Sequence, residues 1–193
     1  MTRFRSIAAL VVSLAVIATT FDVAPAAATV NATFSCTGVV AGERFAFTSP
    51  VVVSGKTAAT VIPGTKVTLK GWQIRITLPA LSVDFLRHFT TTVAGRLTHF
   101  FVKATDATSQ SGNAIPPRSS IAMPKTTLTE NKSVTWTLPA KPITAASYAI
   151  AGGKGTMAFT TSAMIFTLTA PIGSTAITCL AKPAATISKT AVT

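Results

Sequence analysis

Apolar side chains alternate with threonine and other polar residues along much of this chain. In "TVIPGTKVTLKGWQIRITLP" (60–79), Val67 and Leu69 alternate with Thr68 and Lys70; Trp72, Ile74, Ile76 and Leu78 then alternate with Gln73, Arg75 and Thr77. A period of two marks strands with one buried and one wetter face. The apolar phase moves from odd to even positions across Lys70-Gly71, which is how a β-bulge appears in a sequence. Pro63-Gly64 ahead of it predicts a turn.

The alternation recurs in "TFSCTG" (33–38), "TTVAGRLTHFFVKAT" (91–105, interrupted by Gly95), "SVTWTL" (133–138), "GTMAFTT" (155–161), "AMIFTLTA" (163–170) and "STAITC" (174–179). Trp72 and Trp136 fall on apolar faces and are expected in the core. "DATSQSGNAIPPRSS" (106–120) and "PAKPITAASYAIAGG" (139–153) read as loops from their proline, glycine and small polar residues. "GGKGT" (152–156) reads as a tight hairpin turn, since it lacks the upstream glycine of a phosphate-binding loop. Short antiparallel strands between such turns predict an all-β, immunoglobulin-like β-sandwich. The immunoglobulin Cys–Trp–Cys spacing itself does not fit, because the two cysteines lie at the ends of the domain.

"ALSVDFLRHF" (80–89) is the exception. As a strand it would place Asp84 and His88 about 13 Å apart. As a helix after Pro79 it makes Leu81, Phe85, Leu86 and Phe89 one apolar stripe, and Asp84 and His88 become i,i+4 neighbours. The helix is the preferred expectation, closing one end of the sandwich.

The first residues change the picture of compartment. Arg3 and Arg5 precede an apolar run (6–21) and the small residues "APAAA" (24–28), the layout of a secretory leader over residues 1–28. Residues 29–181 then form the exported domain, with no later transmembrane segment, and 182–193 a flexible tail. The whole chain carries 17 basic and five acidic residues. Without the leader the balance is fifteen to four, a charge that attracts anionic cell-envelope polymers or lipid headgroups. The basic residues are scattered and not interleaved with aromatic platforms, so specific nucleic-acid recognition is not expected. Cys36 and Cys179, an even pair in an oxidising compartment, predict a disulfide.

The runs "CTGVVAGERFAF" (36–47), "VIPGTKVTLKGWQIRITLPA" (61–80), "VDFLRHF" (83–89), "GGKGTMAFTT" (152–161) and "ITC" (177–179) resemble a family of secreted actinobacterial domains of unknown function. The shared pattern is an early cysteine strand, a Pro-Gly hairpin, a short Leu-rich helix and a late cysteine, covering residues 34–181. The resemblance implies a secreted all-β domain associated with the cell surface, and transfers no catalytic residue.

Chemistry is sparse. No G-x-S-x-G, S-x-x-K, H-E-x-x-H or EF-hand pattern occurs, and no cofactor or metal is expected. A triad would have to draw on His88 or His99 with Glu43, Asp84, Asp106 or Glu130. Three functions are carried forward. The first is a non-enzymatic binding or structural module, secreted or wall-associated, with a basic surface. The second is an extracellular carrier of an apolar ligand or lipid, lined by Phe85, Phe89, Phe100 and Phe101. The third is a secreted hydrolase built on Asp84 and His88.

Overall fold

A computed structural model describes residues 28–193. The leader reading lies outside the described residues, apart from Ala28. In chain order the strands are β1 (Ala28–Val40), β2 (Glu43–Lys56), β3 (Thr60–Val61), β4 (Lys66–Thr68) and β5 (Lys70–Leu78). Helix α1 (Ala80–Arg87) follows, then β6 (Thr92–Ala104), β7 (Ala107–Ser111), β8 (Ile121–Thr127) and β9 (Val134–Ile143). The chain ends with β10 (Tyr148–Ala151), β11 (Gly155–Ala170), β12 (Gly173–Ala181) and β13 (Thr186–Val192). The fold is all-β and sandwich-like, with antiparallel pairing except where β3 adds parallel to β13. β1 and β11, at 13 and 16 residues, run beyond the segments the alternation delimits, β2 adds 14 residues outside those segments, and β6, at 13 residues, falls within the extended region 91–105.

The main sheet runs β8–β6–β11–β12–β1–β2–β5–β9. β11 pairs with β6 along one edge and with β12 and β13 in succession along the other. The sheet curls until its end strands face each other, and inward residues from every strand form one core, including Phe34, Trp72, Phe100, Phe159 and Phe166. The indole of Trp136, on β9, donates across the seam to Thr126 Oγ1 (3.0 Å) and Pro124 O (3.3 Å). Trp136→Phe keeps most of the ring and loses both contacts, so it is expected to cost about 1 kcal/mol. A urea unfolding midpoint equal to that of the parent would show that this bond does not hold the seam.

The bulge is where the phase slip places it. Ser54 pairs with Gln73 and Lys56 with Lys70, so β5 carries one extra residue there, and Gly71 has φ +64°, which a side chain disfavours. Gly95 does not interrupt β6: a Cβ there would collide with the Thr167 carbonyl, so the glycine permits close approach of β11. The disulfide joins Cys36 and Cys179, directly opposed on the neighbouring strands β1 and β12. It clasps two halves of one sheet, not two sheets.

Four expectations need correction. First, residues 182–193 are not a loose tail, because β13 pairs with β11 and buries Ile187, Thr190 and Val192. Thr190 hid this strand by breaking its apolar pattern. It is buried because its hydroxyl donates to Thr57 Oγ1 (2.7 Å).

Second, the two presumed loops contain β7 and β10, and β9 runs on to Ile143. With β4 they form a three-stranded sheet, β4–β10–β7, which covers the end of the core opposite α1. Third, Pro63-Gly64 and Gly152–Gly155 are turns but not hairpins, since β3, β4, β10 and β11 pair with other strands. Fourth, α1 forms as expected but buries Ser82, Val83 and Leu86, while Leu81 is 85% exposed. Phe85 and Phe89 are half-buried against the core.

Candidate functional site

The four phenylalanines of the carrier reading do not line one cavity. Phe85 and Phe89 sit at the helix end, with ring centroids 5.4 Å apart, and Phe85 stacks on Phe45 at 5.0 Å. Phe100 is fully buried between Phe34 (6.2 Å) and Trp72 (5.5 Å). It lies roughly 23 Å of strand rise along β6 from Val93, near the helix. Phe101 is on the outer face of the sheet, stacked on His99 at 5.4 Å.

Asp84 and His88 do share one face of α1, and with Arg87 and Glu130 they line an open surface groove. Asp84 and Arg87 bind the loop between β8 and β9. The Asn131 backbone N–H donates to Asp84 Oδ1 (2.9 Å), and Arg87 pairs with Glu130 at 3.0 Å. Both contacts tie α1 to that loop; the ion pair is exposed and contributes about 0–1 kcal/mol. No serine lines this groove. His99 lies on β6, where its Nδ1 is 3.1 Å from Thr98 Oγ1. Among the described residues no carboxylate hydrogen-bonds either histidine ring. Among the described residues no group of three or more His, Cys, Asp or Glu is placed to hold a metal ion.

Charge is where the structure adds most to the sequence. The end of the molecule covered by β4–β10–β7 carries Lys56, Lys66, Lys70, Lys141 and Lys154, on the ends of β2, β4, β5 and β9 and the turn before β11. Lys56 is directly opposite Lys70. Like charges at opposed positions repel, and a strand pair ordinarily avoids them. Lys66 holds its ammonium 4.3 Å from the Tyr148 ring, a cation–π contact that orients it without neutralising it. Asp106 is the acid at this end, and its carboxylate forms no ion pair among the described residues. Glu43, Asp84 and Glu130 all lie towards the helix end. Among the described residues the Arg87–Glu130 contact is the one ion pair, leaving every lysine without an acidic partner.

No alternating pattern reveals this concentration, because the lysines are separated by up to 98 positions in sequence and meet only through strand register. The bulge at Gly71, which sets Lys70 against Lys56, is visible in the sequence, but the strand that lies beside it is not. Among the described residues no helix is long and apolar enough to cross a membrane. No family model, curated protein or solved structure matches this chain.

Proposed function

We propose that this chain is a secreted, non-enzymatic module that binds anionic polymers of the cell envelope through its lysine-rich end. The observation that carries the reading is the opposed pair Lys56 and Lys70, at the end of the molecule that also carries Lys66, Lys141 and Lys154, with no ion-paired acid there among the described residues. A phosphate or carboxylate set between two such ammonium groups turns their repulsion into two charge-assisted contacts. A polymer with repeating anions engages several lysines at once and gains avidity from one chain. The Cys36–Cys179 disulfide suits an oxidising, extracellular setting.

Long-chain polyphosphate is a suitable probe. With roughly three lysines engaged, affinity should fall about twentyfold between about 50 and 200 mM monovalent salt. The double variant Lys56→Glu/Lys70→Glu should lose most of the binding while keeping its unfolding midpoint. Salt-independent binding, or equal binding by the double variant, contradicts the proposal.

A further inference from the structure

β2 is paired on both sides for only part of its length. Its contact with β1 runs from Glu43 to Gly55, but β5 accompanies it only from Val51 to Lys56. Among the described residues no strand pairs with the second edge from Glu43 to Pro50.

The direction of the backbone groups on that edge follows from the disulfide register. Cys36 and Cys179 are opposed with Cα atoms 4.0 Å apart, the close spacing of a non-hydrogen-bonded antiparallel pair. The N–H and C=O of Cys36 therefore point away from β12, towards its partner Phe47 on β2. Phe47 points its own groups back at β1. By alternation Arg44, Ala46 and Thr48 point theirs out of the unpaired edge. Pro50, on the same side, has no N–H to offer, and the Ser49 hydroxyl donates to the Thr77 carbonyl in its place (2.8 Å). That is where the β2–β5 ladder stops.

Beside this edge lies a groove of about 390 Å³. Phe45, Phe47 and Phe85 supply its apolar surface, and Leu81, 85% exposed, stands on the helix side. Its one charged lining residue is Arg44, which has no ion-pair partner among the described residues. A strand edge with free backbone groups, facing a helix across an apolar groove, is the arrangement used for strand addition.

The geometry points to the β2–α1 groove as a docking site for an extended peptide segment of another protein. The segment adds as a strand to Arg44–Thr48, about 13 Å of edge. Alternate side chains of the segment meet the phenylalanines, and an acidic residue faces Arg44. The free row of N–H and C=O groups selects a peptide over an acyl chain, which satisfies none of them. This site is at the opposite end from the lysines and is independent of polyanion binding.

The test pans a random-peptide display library on the full chain and follows backbone amide exchange with the enriched peptides. Enriched sequences should alternate apolar and polar residues and carry Asp or Glu, and they should slow exchange at Ala46 and Thr48. Leu81→Glu, at an exposed position, should weaken binding more than about tenfold by placing a charge in the groove. Arg44→Glu should weaken acidic peptides about two- to fivefold and favour basic ones. Polyphosphate binding should be unchanged in both variants. Four results overturn the inference: no enrichment over the Leu81→Glu variant; peptides that leave Ala46 and Thr48 exchange unchanged; protection that appears on raising the concentration of the protein alone; or decanoate filling the groove in preference to every peptide.

Discussion

Truncating Phe100 to Ala is expected to cost about 4 kcal/mol, whereas Phe101→Ala costs under about 1 kcal/mol. The two residues are neighbours in sequence, but Phe100 packs between Phe34 and Trp72 with no exposure, and Phe101 lies half-exposed on the outer face. Removing Phe100 leaves a cavity that the disulfide-clasped strands and the bulky indole beside it are poorly placed to fill. For a domain of this size the loss corresponds to a melting temperature lower by roughly 8–16 °C. Thermal unfolding of the two variants followed by circular dichroism provides the check. Similar small losses for both would remove Phe100 from the core and return it to the candidates for ligand contact.

The second large effect is at the clasp. Cys36 and Cys179 are 143 positions apart, and a cross-link over so long a loop removes about 5 kcal/mol of unfolded-state entropy in the chain-entropy model. β1 leads to β2, β5 and β9, while β12 leads to β11, β6 and β8. The bond therefore joins the two halves of the sheet at their meeting line. Cys36→Ala/Cys179→Ala is expected to lose about 4 kcal/mol, the buried methyl groups compensating little for the lost link. An unchanged urea midpoint in the double variant would show that pairing along β1 and β12 suffices without it.

Some of this architecture was legible because local chemistry and tertiary context agree. The bulge at Lys70-Gly71 needed a phase slip and a residue tolerant of positive φ, and both were visible. The helix after Pro79 and the cysteine pair were visible for similar reasons. Thr190 concealed β13, because a threonine reads as surface until Thr57 is known to lie beside it. The strands β7 and β10 were hidden by the proline and glycine around them, since their stability comes from covering the core and not from their own pattern.

Alternation also says which face a residue occupies and nothing about which strand lies alongside. For that reason neither candidate site could be read in advance. The opposition of Lys56 to Lys70 and the free edge at Arg44–Thr48 are both consequences of pairing. The residues that did stand out, Asp84 on α1 and His88 at its C-cap, lie together, but Asp84 accepts the Asn131 amide and its neighbour Arg87 pairs with Glu130. Asp84 and Arg87 fasten the helix to a loop.

If the lysine-rich end is a binding surface and not merely part of a basic shell, a polyanion must perturb that end alone. Backbone amide chemical shifts recorded while polyphosphate is titrated into isotope-labelled protein at moderate salt address it most directly. Saturable changes are expected, concentrated at Lys56, Lys66, Lys70, Lys141 and Lys154, with α1 and the Arg44–Thr48 edge unaffected. Changes of similar size at Arg75, Arg96 and Lys125, spread over the whole surface, would contradict it.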